Sequence, residues 1–154
     1  MRFATSAAFC SESLSMYALT ATKSTSASDT AVTRAITSAD ALSALKLAVG
    51  INPNADSSAV SPYQYLAADA NKDHRVTSAD ALAILKMAVK YTGGYTDFEW
   101  LMVPDSVGSL SMSRTSVNLP SGMTTSSSAL TLDQNKAVHL VGIVLGDVNG
   151  SWAG

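Results

Sequence analysis

Residues 36–49 read ITSADALSALKLAV, and residues 76–89 read VTSADALAILKMAV. These two stretches decide the fold, because they are identical at ten of fourteen positions and lie 40 residues apart. Self-similarity at this period indicates that each copy is one supersecondary unit. Two copies are too few for a solenoid, so the repeat predicts a pair of similar units packed face to face.

Each copy has the apolar spacing of an amphipathic helix. The apolar positions are Ala41, Leu42, Leu45, Ala48 and Val49 in the first copy and Ala81, Leu82, Leu85, Ala88 and Val89 in the second. Thr37 and Thr77 are suited to cap the two N-termini, and Gly50 is suited to end the first helix. Between the copies, Ser61-Pro62 predicts the start of a short helix that continues to about Ala67.

The rest of the chain has the composition of short strands between turns rich in Gly, Pro and Ser. The strand candidates are residues 15–22, 98–103, 109–113, 129–132 and 137–145. We therefore expect an α+β chain with a small antiparallel sheet. Its expected organisation is an N-terminal extension at 1–28, a repeat pair at 29–92 and a β-rich C-terminal segment at 93–154.

Composition excludes several classes of protein. Ten basic and twelve acidic residues leave a net charge of −2, which gives no electrostatic case for binding nucleic acid or anionic lipid. A single cysteine, Cys10, excludes an internal disulfide and a cysteine-based zinc site. No apolar run reaches the ~18–20 residues that span a bilayer. Ten of the acids are Asp, which favours caps, turns and oxygen-rich metal loops.

The segment DANKDHRVTSAD, residues 69–80, stands directly before the second repeat helix. Its twelve positions match the oxygen layout of an EF-hand loop, in which alternate side chains, one backbone carbonyl and a closing carboxylate surround a cation. The corresponding residues are Asp69, Asn71, Asp73, Arg75 through its carbonyl, Thr77 through water, and Asp80. Six to eight oxygens at about 2.3–2.6 Å suit calcium. The sequence therefore predicts a calcium site here.

The same residues also permit a structural interpretation. Thr77 and Asp80 fit a capping box that serves only the helix N-terminus, and residues 69–73 fit a plain polar turn. The complete frame, placed before a repeated helix, favours calcium. Position six, where the loop uses Gly, holds His74, which tolerates positive φ, so we expect a weakened affinity.

Forty residues upstream, the segment 29–40 reads DTAVTRAITSAD. It keeps Asp29 and Asp40 but has Ala31 and Thr33 where ligands belong. We expect this first loop to be degenerate, kept for packing, and to bind metal weakly or not at all.

A third fragment lies near the C-terminus. Asp147-Val-Asn149-Gly-Ser151 repeats the alternating oxygen pattern, but no closing carboxylate follows before Gly154. It fits a turn at the end of a strand. The alternative is a half-site in which Asp147 and Asn149 lend ligands to the degenerate first loop.

The frame D-x-N-x-D-x-x-V-T-S-x-D, followed by ALAILK, resembles a type I dockerin repeat, strongly over residues 69–89 and more weakly from residue 29. The resemblance implies a dockerin-like pair of EF-hand-like calcium-loop–helix repeats that bind a cohesin domain on another protein. It places the family's metal ligands on Asp69, Asn71, Asp73, Thr77 and Asp80, and its partner-reading pairs on Ser38-Ala39 and Ser78-Ala79. The stretch VGIVLGDVNGSW, residues 141–152, is similar to the ends of dockerin-like regions in large secreted bacterial proteins.

No nucleophile elbow, phosphate loop or zinc motif is present, so we expect no enzyme activity. We expect a non-catalytic calcium-binding module that attaches an extracellular protein to a cohesin-like domain. The partner-facing residues would be Ser38, Ser78, Lys46 and Lys86. Two alternatives stay open: a calcium-rigidified tail of a large surface protein, and an appendage of a secreted polysaccharide hydrolase. The expected location is secreted or at the cell surface, within a larger polypeptide or assembly, although the N-terminus has no clear signal peptide.

Overall fold

The computed structural model describes residues 2–5, 17–19, 35–90, 99–119, 128–130 and 138–151. In chain order the elements are β1 (Arg2–Thr5), β2 (Tyr17–Leu19), α1 (Ser38–Ala48), α2 (Pro62–Ala68), α3 (Ser78–Ala88), β3 (Trp100–Pro104), a 3-10 helix (Asp105–Ser109), β4 (Ser128–Leu130) and β5 (Val138–Val144). Helices and antiparallel sheets occur together, so the prediction of an α+β fold is confirmed. Across the ranges just given, every helix is too short or too polar to span a bilayer.

The larger sheet has β5 at its centre, antiparallel to β1 on one side and to β3 on the other. The second sheet is the antiparallel pair of β2 and β4. The central place suits the apolar sequence of β5, because a strand with two neighbours leaves no unpaired edge. The end of β5 carries the chain onto the helices, where Leu145 and Val148 are buried.

One predicted strand, at residues 109–113, is wrong. After Pro104 the chain turns into the 3-10 helix, and only an isolated bridge between Ser113 and Ser116 follows. The reason is that Val107 is buried in the core by this helical turn, which directs the chain away from the sheet. The short alternation at 109–113 therefore meets no partner strand.

Helices α1 and α3 pack against each other through matching positions. Their buried side chains include Ala41, Ala44 and Leu47 in α1 and Ala81, Ile84 and Met87 in α3. The predicted apolar face is confirmed only for its alanines, because Ala41 and Ala81 are buried whereas the leucines and valines of that face are exposed. Small alanines allow two helices to approach closely. Leu42 and Leu82 directly follow Ala41 and Ala81, and one residue corresponds to a rotation of about 100° around the helix axis, so these leucines lie on another side of each helix.

The short helix α2 begins as predicted, with Ser61 as its N-cap and Pro62 as its first residue. Gln64 completes a capping box with Ser61, and its side-chain amide also donates to the carbonyl oxygen of Val148 at 3.2 Å. Helix α2 ends at the C-cap residue Asp69, so its C-terminus opens directly into the predicted calcium loop.

Candidate metal loops and the exposed stripes of the helix pair

The loop at residues 69–80 is closed by buried carboxylates at both ends. One oxygen of Asp69 accepts from the backbone N–H of Asp73 at 3.1 Å, and the other accepts from His74 at 3.0 Å. Asp80 reaches back from helix α3, where its Oδ1 accepts from the N–H of Asn71 at 3.1 Å. Asp69 is 6% exposed and Asp80 is fully buried. The first and last positions of the frame are thus joined through the loop's own backbone.

The middle of the loop uses the two exposed side chains of the frame, Asn71 and Asp73. Asn71 Oδ1 accepts from the N–H of Asp73 at 2.9 Å, and Asp73 Oδ1 accepts from the N–H of Arg75 at 3.0 Å. The Asn71 amide also donates to Asp73 Oδ2 at 3.0 Å. Alternate side chains therefore fold back over the loop and accept from its backbone N–H groups.

The capping box that the sequence also permitted is present. Thr77 Oγ1 accepts from the N–H of Ala79 at 3.2 Å, while Asp80 Oδ2 accepts from the N–H and hydroxyl of Thr77 at 2.8 and 2.9 Å. The cap uses Oδ2 of Asp80, whereas Oδ1 faces the loop. The same carboxylate can therefore begin helix α3 and close the loop.

The carboxyl group of Asp69 lies in an environment that disfavours its charged form. Its burial, the largest cause, raises the pKa of its carboxyl to about 6. The negative charges of Asp80 and Asp73 raise this pKa further, and the N–H groups of His74 and Asp73 partly lower it.

The outer side of the loop has two residues in the left-handed region, Lys72 with φ of 60° and His74 with φ of 66°. The expectation that the sixth position demands positive φ is confirmed. The Nδ1 atom of His74 lies 3.1 Å from the carbonyl oxygen of Val117, and the Lys72 ammonium lies 2.5 Å from a Glu99 carboxylate oxygen. These partners are distant in sequence, which is why the loop motif did not reveal them.

The C-terminal fragment lies beside the N-terminus of α1. The N–H of Asn149 donates to Asp40 Oδ1 at 3.1 Å, which matches the bond between Asn71 and Asp80. Asp40 is fully buried, and its Oδ2 accepts from the N–H and hydroxyl of Thr37 at 2.9 and 2.8 Å. Helix α1 therefore has the same capping box and the same inward-facing oxygen as α3.

Within the C-terminal fragment, the hydrogen bonds of residues 147–151 repeat those of residues 69–73 in the contiguous loop. The N–H of Ser151 donates to Asp147 Oδ1 at 3.0 Å and to Asn149 Oδ1 at 2.8 Å, as that of Asp73 does to Asp69 and Asn71. The Ser151 hydroxyl also donates to the carbonyl oxygen of Ala35 at 3.3 Å. Because Ala35 precedes Asp40 by the five residues that separate Arg75 from Asp80, the two segments together resemble one loop that is split in sequence.

The C-terminal fragment is therefore bonded to the N-terminal end of α1 and is more than a turn that ends a strand. Positions one, three and five would come from Asp147, Asn149 and Ser151, and the later positions from residues 35–40. The weaker candidate Asp29 lies outside the described residues. Among the His, Cys, Asp and Glu side chains that the structure describes, no three converge as a metal-ligand group. The carboxylates of both loops accept from backbone N–H groups instead.

Seven large apolar residues are exposed in the described part of the chain; six of them lie along the helix pair, and the seventh, Ile51, follows α1. We define the apolar stripes as Leu42, Leu45 and Val49 on α1 and Leu82, Leu85 and Val89 on α3. Their side chains are between 40% and 65% exposed, and equivalent positions of the two helices differ by three percentage points or less. The predicted partner-facing residues Ser38, Ser78, Lys46 and Lys86 lie on the same stripes by helical spacing.

Sequence reasoning missed the stripes because leucine and valine at helical spacing ordinarily indicate a buried face. Ala41 and Ala81 belong to the predicted face and are buried together with Ala44, so the spacing of these small residues could have identified the packing side.

Comparisons of the chain with protein-family models, curated proteins and solved structures find no match.

Proposed function

We propose that the chain is a non-catalytic, calcium-stabilised attachment module of the type I dockerin kind, which docks onto a cohesin-type domain outside the cell. The observation that carries this proposal is the pair of apolar stripes. Six large apolar side chains stay exposed at matched positions, although other large apolar side chains of the same two helices, such as Leu47 and Ile84, are buried. Exposed apolar patches bordered by polar residues are typical of protein-interaction sites.

Calcium would hold the helix pair in the form that presents these stripes. Each loop ends in the first turn of a repeat helix, at Asp80 for α3 and at Asp40 for α1. Without a cation, the carboxylates within each loop repel one another. With a cation, the free energy of metal binding becomes free energy of folding. The raised pKa of Asp69 supports this proposal, because it reflects first the burial of this carboxyl group and then the negative charges of Asp80 and Asp73.

The ligands are proposed for both loops. The contiguous site consists of Asp69, Asn71, Asp73, the Arg75 carbonyl, Thr77 and Asp80. The split site consists of Asp147, Asn149 and Asp40, together with Ser151 and the Ala35 carbonyl. Extracellular calcium modules bind at about 10⁻⁴–10⁻³ M, which suits loops with few carboxylates.

Calcium titration by calorimetry tests this assignment. Wild type should bind two ions, Asp73→Ala should lose the contiguous site, and Asp147→Ala should lose the split site. Asp56→Ala is the matched control, since Asp56 accepts from Ser58 in an exposed turn away from both loops. Unchanged heats for Asp73→Ala would overturn the contiguous site, and unchanged heats for Asp147→Ala would overturn the split site.

The charge on the stripes indicates the chemistry of the partner. Lys46 lies among the leucines of α1 by helical spacing, whereas Asp40 and Asp80 are fully buried on the loop side. A complementary partner therefore has an apolar patch with an acidic rim. A second copy of the same face would bring lysines together.

Calcium-dependent capture of a cohesin-type domain with that surface tests the docking function. Leu45→Asp combined with Leu85→Asp should abolish capture, because charges would enter the apolar contact, and Ser78→Asp should weaken it by adding a negative charge. Asp56→Ala again serves as control. A melting temperature that falls with chelator, together with no capture by wild type, would instead support a calcium-rigidified spacer.

A further inference from the structure

A small hairpin at residues 113–116 is hydrogen-bonded to the backbone of the contiguous loop. Backbone bonds between Ser113 and Ser116, at 3.0 and 3.1 Å, close a two-residue turn at Arg114-Thr115. The carbonyl oxygen of Arg114 accepts from the N–H of Val76 at 2.8 Å, so the turn is bonded to the loop's own backbone. Val76 is 2% exposed and anchors this part of the loop in the core.

The side chain of the same arginine reaches the other repeat helix. Arg114 Nη1 donates to the carbonyl oxygen of Ala48 at 3.2 Å, and Ala48 is the last residue of α1. The final carbonyl groups of a helix have no intrahelical partner, and a cation near them is favourable. The next residue, Val49, is the end of the α1 stripe and is 63% exposed.

We propose that Arg114 is a positioning residue that couples the contiguous loop to the C-terminal turn of α1. A cation that orders the loop backbone around Val76 also fixes the hairpin, and the guanidinium then holds Ala48 and the adjoining Val49 in place. The coupling crosses between the repeats, because the loop belongs to α3 and the ordered turn belongs to α1. This inference rests on the proposed calcium function.

Hydrogen exchange in the full chain tests the coupling. In wild type, calcium should slow exchange of the amides of residues 49–51 at least threefold relative to chelator. Arg114→Ala should abolish this calcium-dependent slowing while the heat of calcium binding remains. Arg114→Lys should retain part of the slowing, since a shorter cation can still approach Ala48. Thr115→Ala is the control, because it alters the same exposed turn without removing the contact to α1.

The measurement separates coupling from simple capping. If Arg114 only caps α1, Arg114→Ala will speed exchange equally with and without calcium, and the calcium-dependent slowing will persist. That result overturns the coupling and leaves the calcium site intact. No heat of calcium binding in wild type would overturn the proposed calcium function and this inference with it.

Discussion

Buried carboxylates show how much a single residue can do in this fold. Asp40 and Asp80 are fully buried, and each divides its two oxygens between a helix cap and a loop. Hydrogen bonds to a charged group contribute about 1.5–3 kcal/mol, so backbone donors offset part of the cost of burial. At Asp69, the backbone donors lower the pKa of the carboxyl group less than its burial and the neighbouring acids raise it.

The raised pKa of Asp69 predicts a pH dependence of the metal-free protein. With a folded pKa of about 6 and an ordinary value of 3.8, folding favours the protonated form. This stabilisation is complete below pH 4 and is lost as the pH rises through 6, at a cost of about 2–3 kcal/mol. Urea unfolding in chelator should show this loss for wild type but not for Asp69→Asn. Parallel pH profiles for the two proteins would contradict the assignment.

At the scale of elements, α1 and α3 are the same local structure formed twice. Both have a threonine N-cap, an aspartate three residues later and a C-cap valine, Val49 or Val89. The residue that follows the valine has positive φ in each case, 81° for Gly50 and 52° for Lys90. These features depend on contacts three or four residues apart, so the repeat in sequence reproduces them regardless of the surroundings.

Because the N-caps Thr37 and Thr77 are equivalent, removal of either hydroxyl should lower the free energy of unfolding by the same amount. Thr37→Ala and Thr77→Ala should each lower the free energy of unfolding by about 1 kcal/mol in metal-free protein. Thr37→Ser and Thr77→Ser are the controls, since they keep the hydroxyl acceptor. Chemical denaturation in chelator provides the measurement. A loss at only one of the two sites would mean that the helices are not equivalent in stability.

At the scale of the whole molecule, the turn after β5 lies against α2, α3 and the segment that leads into α1. The N–H of Gly146 donates to the carbonyl oxygen of Ala67 in α2 at 2.8 Å. A Cβ on Gly146 would lie 3.0 Å from Ile36, which precedes α1, and 3.3 Å from Met87 in α3. With φ of 96°, this position favours glycine for conformational as well as steric reasons.

Gly146→Ala should therefore destabilise the protein more than Gly150→Ala. Both positions have positive φ, but a Cβ on Gly150 would meet nothing within 4 Å. We expect Gly150→Ala to lower the free energy of unfolding by about 1 kcal/mol, through backbone strain alone. Gly146→Ala should lower it by roughly 2–4 kcal/mol, because the added Cβ also clashes with its neighbours. Thermal and urea unfolding would check the order. Equal losses would show that the packing around Gly146 can yield without cost.

The sequence by itself determined the repeat helices, the Ser61-Pro62 start of α2 and the alternating oxygen residues from Asp69 to Asp80. These are set by neighbours along the chain, through caps, turns and helical spacing. Only the tertiary structure decided which side of α1 packs against α3, because each helix has more than one apolar side that could make this contact. It also decided that Asn149 meets Asp40, 109 residues away, since β5 brings the C-terminal fragment there through pairing with β1 and β3.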